Sequence, residues 1–160
     1  MSFTTFKKLT SNKFKFSLFL FAKLPSAFIC GVRLRSVNEQ ECVTSVPYKW
    51  LSQNPFKSTY FACQAMAAEM STGMLGLGHI YQSSPSVSML VVKLEGAYFK
   101  KAIERIYFTC SSGDAIKAAI EKSKITGEGQ AVECISTGKN KAGELISEFK
   151  ITWSFKAKAN

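Results

Sequence analysis

The run Tyr60-Phe-Ala-Cys-Gln-Ala-Met-Ala-Ala-Glu69-Met-Ser-Thr-Gly-Met-Leu-Gly76 decides how the rest of the chain is arranged. It is rich in Ala and Met and free of Pro, and it predicts a helix from Tyr60 to Leu77. Gly76 and Gly78 are expected to end that helix. Ala62, Ala65, Glu69, Thr72 or Gly73, and Gly76 share one face by the i, i+3, i+4 rule, so the face is almost entirely small. Small side chains let a sheet or a second helix approach the backbone closely. Glu69 is the only formal charge between Thr59 and Tyr81. A carboxylate alone on such a helix must be exposed at a cleft, paired, or raised in pKa by burial, and each is a functional-site hypothesis. The competing reading is a solvent-facing Glu, or a buried one satisfied by Gln64 or a backbone N–H.

Strand patterns flank this helix on both sides. Val32-Arg-Leu-Arg-Ser-Val37 alternates apolar and polar, Asn38-Glu-Gln40 makes a turn, and Cys42–Val46 reads as the hairpin partner. After the helix, Val87–Leu94, Ala102–Cys110, Gln130–Thr137 and Glu144–Phe155 read as strands. Asp114 is placed to cap a short helix, Ala115–Lys124. One long helix between early and late strands implies an α+β fold in which an antiparallel sheet wraps around that helix. βαβ alternation, G-x-G-x-x-G and G-x-x-x-x-G-K-[ST] are absent, so a Rossmann or P-loop reading loses support.

Composition narrows the function classes. A chain of 160 residues with 46% hydrophobic and 20% charged residues reads as one folded domain, and thirteen Phe exclude disorder as the main state. The five Cys (30, 42, 63, 110, 134) form no C-x-x-C clamp, and the single His79 cannot complete a zinc site, so no metal is expected. Scattered, unpaired Cys suit a reducing cytoplasm. Cys63 with His79 makes a poor nucleophile–base pair, because a continuous helix separates them by about 24 Å. A serine triad meets the same single-His limit.

The charge is lopsided. Lys7, Lys8, Lys13, Lys15, Lys23, Arg33, Arg35, Lys49 and Lys57 precede residue 58, against only Glu39 and Glu41. Such an end can meet nucleic acid, anionic lipid or a phosphorylated ligand. Only three of the bases in the chain are Arg, which argues against nucleic acid as a partner. Lys93, Lys100, Lys101 and Arg105 form a second basic group, either an exposed face or a contact for phosphates.

Lys13-Phe-Lys-Phe-Ser-Leu-Phe-Leu-Phe-Ala-Lys23 imitates a signal peptide, but its apolar run of about seven residues is short and no small-x-small site follows. The preferred reading is a helix packed on the domain through a Phe14, Leu18, Phe21, Leu24 stripe and ended by Pro25. A helix lying in a membrane interface and a signal remain the alternatives. Residues 1–31 are therefore read as a helical extension and 32–160 as the domain.

The stretch Asn54-Pro-Phe-Lys-Ser-Thr-Tyr-Phe-Ala-Cys-Gln-Ala-Met-Ala-Ala-Glu69 resembles the signature of hotdog-fold acyl-CoA thioesterases, Asn-Pro-x-Gly-x-x-His-Gly-Gly followed by an Asp or Glu at the position of Glu69. The resemblance runs from Val32 to Phe155. Lys57 stands for the first Gly, Tyr60 for His, and Phe61-Ala62 for Gly-Gly, as in a thioesterase-like branch of the superfamily. It implies a hotdog fold and hydrolysis of an acyl-CoA or acyl-carrier-protein thioester, with coenzyme A as part of the substrate and no cofactor. Carried over, Glu69 is the general base or nucleophile, and Asn54 orients substrate or water. Phe61 or Ala62 supplies the oxyanion N–H, with Tyr60 and Thr72 lining the substrate. The resemblance also implies a homodimer, or a dimer of dimers, in which one subunit's helix start meets the other's acidic residue. A non-catalytic acyl-CoA, carrier-protein or lipid-like ligand binder is the alternative.

Overall fold

Alternating side chains after Gly31 produce the expected hairpin, β1 (Arg33–Val37) paired antiparallel with β2 (Cys42–Val46). The computed structural model describes residues 2–158. Three helices precede the hairpin: α1 (Ser2–Ser11), α2 (Lys13–Lys23) and α3 (Pro25–Ile29). A 3-10 turn at Trp50–Ser52 leads to α4 (Phe61–Ile80), and then come β3 (Val87–Tyr98), β4 (Ile106–Cys110), α5 (Gly113–Thr126), β5 (Gln130–Lys139) and β6 (Leu145–Ala157).

The strands form one six-stranded sheet in the order β1-β2-β4-β5-β6-β3, and every neighbouring pair is antiparallel. The sheet curls around α4, giving the α+β hotdog architecture. Alternate residues of the central strands face the helix, and Ile106, Phe108, Phe149, Ile151 and Phe155 are fully buried there. The small face of α4 does what small residues permit. A Cβ on Gly76 would stand 2.9 Å from Met89 Cε and 3.1 Å from Phe155, so these side chains press directly on helix backbone. Hydroxyls pin another side of the helix: Thr44 Oγ1 donates to Ala67 O (2.7 Å), and the Ser71 and Ser136 hydroxyls are 2.8 Å apart.

Four local expectations are corrected. Gly76 and Gly78 do not end the long helix; they lie inside it, and Gly78 is covered by the Phe3 ring of α1. β4 begins at Ile106, because the carbonyl of Ala102 is taken by the N–H and hydroxyl of Thr59 rather than by a strand. Ser112, not Asp114, occupies the N-cap position of α5, with Asp114 in the first turn. In α2 the buried side chains are Phe16 (5% exposed) and Leu20 (1%), while Phe14 (73%), Leu18 (53%) and Phe21 (54%) face outward. The helix carries two apolar stripes on roughly opposite sides, and only one of them can meet the protein.

β3 is the long edge strand. One side pairs with β6 from Val87 to Tyr98 and the other is open among the described residues. Leu90, Val92, Leu94 and Tyr98 are exposed along it.

Candidate active site

The start of α4 is built by the loop before it. Asn54 Oδ1 accepts the N–H groups of Phe56 (3.0 Å) and Ser58 (3.2 Å), closing a turn in which Lys57 takes φ 57°. Lys57 thus holds the left-handed conformation for which the resembled pattern uses Gly. Thr59 is tied to Ala102, and Tyr60 is extended at φ −58°, ψ 134°, so the helix opens at Phe61. No side chain among the described residues caps it. Cys63 N and Gln64 N both donate to Tyr60 O, whereas the N–H groups of Phe61 and Ala62 have no acceptor among the described residues. Two free donors at a helix N-terminus favour a developing oxyanion. The Tyr60 and Phe61 rings meet edge to face beside them, 4.8 Å apart, and both are exposed.

Glu69 lies two turns further along the helix, half-buried. Its carboxylate makes no hydrogen bond or ion pair among the described residues, and burial pushes it up from the usual carboxylate range. Oε1 lies 3.2 Å from where a Cβ would stand on Gly73, and the Trp153 ring closes on the same point. Trp153 is held by its indole N–H, which donates to Thr72 Oγ1 at 2.8 Å, while the Thr72 hydroxyl itself donates to Glu69 O. Trp153 stands in register with Val91 of β3, so the carboxylate lies toward the open edge of the sheet.

The residues named from sequence therefore fall into two places. Asn54, Tyr60, Phe61 and Ala62 gather at the helix start; Glu69 and Thr72 lie about 10 Å away along the axis. The Asn54 oxygen is occupied by its own turn, and the Thr72 hydroxyl is occupied by Trp153 and helix backbone. Trp153 was not named from sequence; its signal is the inward phase of the alternation in β6. Clefts of about 440, 430 and 370 Å³ open among the described residues, and none of these is lined by Glu69 or by the helix start.

Other candidate groups resolve into structural roles. His79 Nε2 lies 2.9 Å from Glu39 O and its ring packs on Phe3, while Cys63 is buried beside Cys30. The second basic group does not converge on one point: Lys93 pairs with Glu95 (2.9 Å) and Lys100 with Glu144 (2.7 Å), and Arg105 turns to Ser45 Oγ (3.3 Å). Among the described residues no group of three or more His, Cys, Asp or Glu is placed to hold a metal ion.

No protein-family model matches the sequence, and a search of the curated proteins finds no match. Solved structures do match. A Pseudomonas aeruginosa protein of unknown function, named a probable thioesterase, superposes with a TM-score of 0.73 at 15% identity, covering 99% of this chain and 97% of that one. A Chlorobaculum tepidum protein of unknown function gives 0.77 at 13% identity, over 90% and 93%. A Haemophilus influenzae thioesterase gives 0.63 at 10% identity, over 88% of each chain. Similarity over nearly the whole chain, around a sheet wrapped on one long helix, shows that this protein shares the hotdog fold of these structures.

Proposed function

We propose that the protein hydrolyses an acyl thioester of coenzyme A or of an acyl-carrier protein. The observation that carries this reading is Glu69, an unpaired, half-buried carboxylate on the central helix of a fold shared with proteins named thioesterases. A carboxylate raised by burial is a better general base near neutral pH than an exposed one. Glu69 takes a proton from water, and the hydroxide adds to the thioester carbonyl carbon. The N–H groups of Phe61 and Ala62 hold the oxyanion. Collapse breaks the carbon–sulfur bond, the thiolate leaves with the proton held by Glu69, and the acid is released.

A separation of about 10 Å prevents one chain's Glu69 and helix start from serving the same carbonyl. The working unit is therefore a homodimer joined along the open β3 edges, with one copy's helix start facing the other's Glu69. A long, apolar, unpaired edge strand supports that assembly. The test is thiol release from acyl-CoAs of short, long and aromatic chain, with Glu69→Gln alongside. Turnover that collapses in the variant supports hydrolysis; equal background from both removes the assigned role.

A second reading, ligand binding without turnover, is favoured by the exposed Phe61 ring beside the free N–H groups. Saturable acyl-CoA binding with no thiol release would establish it.

A further inference from the structure

The outward stripe of α2 is apolar, and every charged residue of α1 and α2 is a lysine. Phe14, Leu18 and Phe21 are exposed at i, i+4 and i+7, and Ile29 of α3 is exposed beyond them. On the helical wheel Lys13 and Lys15 flank this stripe on opposite sides, with Lys23 closing the helix. No Asp or Glu occurs in the chain before Glu39, whereas Lys7, Lys8, Lys13, Lys15, Lys23, Arg33 and Arg35 all do. Among the described residues none of these seven cations enters an ion pair; the four pairs present use lysines from Lys93 onward.

Stripe and charge are linked through Phe28. The Phe21 ring meets Phe28 edge to face at 5.4 Å, and the Arg33 guanidinium sits 4.2 Å above the Phe28 ring. Arg33 lines a cleft of about 440 Å³ with Lys7, Lys13 and Arg35, and among the described residues no carboxylate lines it. Lys13 and Ser17, on the cleft wall, separate its buried floor of Phe16 and Leu20 from the stripe. Aromatic side chains aimed outward beside an acid-free basic cleft are complementary to lipid: hydrocarbon for the stripe, phosphate for the cleft. A second copy is a poor occupant, because a two-fold contact would press two acid-free basic faces together.

We propose that α2 seats the protein on the surface of a bilayer containing anionic phospholipid, with Phe14, Leu18 and Phe21 entering the interface and Lys13, Arg33 and Arg35 meeting lipid phosphates. The contact is peripheral: among the described residues no helix is long and apolar enough to cross a membrane. It is independent of thioester hydrolysis and is read without turnover.

The experiment is co-sedimentation of the full chain with phosphatidylcholine vesicles and with vesicles of phosphatidylcholine and phosphatidylserine, at low and high salt. The protein is expected to bind the mixed vesicles, to release at high salt, and to ignore phosphatidylcholine alone. Phe14→Ser/Leu18→Ser/Phe21→Ser and, separately, Lys7→Gln/Lys13→Gln/Lys15→Gln, which removes two cleft lysines and the two that flank the stripe, are each expected to weaken binding about tenfold or more. All six side chains are exposed, so circular dichroism and thermal melting should match the parent. No binding, equal binding to both vesicle types, or parental binding by either variant overturns the proposal. So does a Ser variant that dissociates an oligomer in light scattering while still binding vesicles.

Discussion

The Glu69 carboxylate and the Trp153 ring converge on Gly73, each reaching 3.2 Å from the point where a Cβ would stand. Gly at this helix position is unfavourable by about 1 kcal/mol relative to Ala, so the close approach has a conformational cost. Gly73→Ala recovers helix propensity while crowding both neighbours. Its stability is expected to stay within about 1 kcal/mol of the parent. Because the carboxylate must give by only a few tenths of an ångström, acyl-CoA hydrolysis should fall severalfold, short of the ~10²-fold loss that a 1 Å misplacement can cause. Gly73→Val overpacks the site and should lower stability by about 1–3 kcal/mol in urea titration.

Glu69 also has a pH signature. Burial raises its folded pKa above the unfolded value, so its ionisation opposes folding. The stability associated with the protonated carboxyl is complete below the unfolded pKa and is lost as pH rises through the folded one. Glu69→Gln, neutral at every pH, should therefore melt above the parent at neutral pH, with the difference closing on acidification below about pH 4. The acidic limb of kcat/KM in the parent should lie above the ordinary carboxylate range. A parent and variant whose melting temperatures run parallel from acid to neutral pH would contradict the burial of this charge.

Much of this architecture is legible in the sequence because it rests on local periodicity. The Arg33–Val46 hairpin, the Ala- and Met-rich helix and the solitary charge at Glu69 need no knowledge of distant residues. What periodicity misses depends on partners far along the chain. Gly76 and Gly78 read as breakers, yet Phe155, Met89 and Phe3 fill the space a side chain would occupy. In α2, the Phe14-Leu18-Phe21 and Phe16-Leu20 stripes have the same spacing, and nothing local says which one faces the protein. The Trp153–Thr72 bond spans 81 positions and links two elements whose contact the pattern does not specify.

Thr72 provides a test of positioning against substrate contact. Its hydroxyl accepts the Trp153 indole N–H and donates to Glu69 O, so its one proton is committed to helix backbone. Thr72→Val should leave the buried indole N–H unsatisfied and cost about 1–3 kcal/mol. Thr72→Ser keeps both bonds, and its turnover and KM should remain near parental. A Ser variant with intact stability but a KM raised about tenfold would show that the Thr72 methyl touches substrate.

The two halves of the candidate site can be separated genetically. Phe61→Pro removes one free N–H at the first helical position, where proline's fixed φ is tolerated and the preceding Tyr60 is already extended. Stability should change by about 1 kcal/mol or less, whereas loss of an oxyanion donor should cost about 10²–10³ in kcat. Phe61→Ala, which keeps the N–H, should retain activity and so distinguishes donor from ring. Glu69→Gln disables the other half. If each site joins one copy's helix start to the other's carboxylate, unfolding and co-refolding equal amounts of Phe61→Pro and Glu69→Gln should restore about a quarter of parental activity, since half the dimers are mixed and each carries one intact site. Adding Val92→Lys to both chains places charge on the open β3 edge and should abolish that restoration, with monomers in light scattering. Mixed chains that dimerise yet stay inactive would place the whole reaction within one copy.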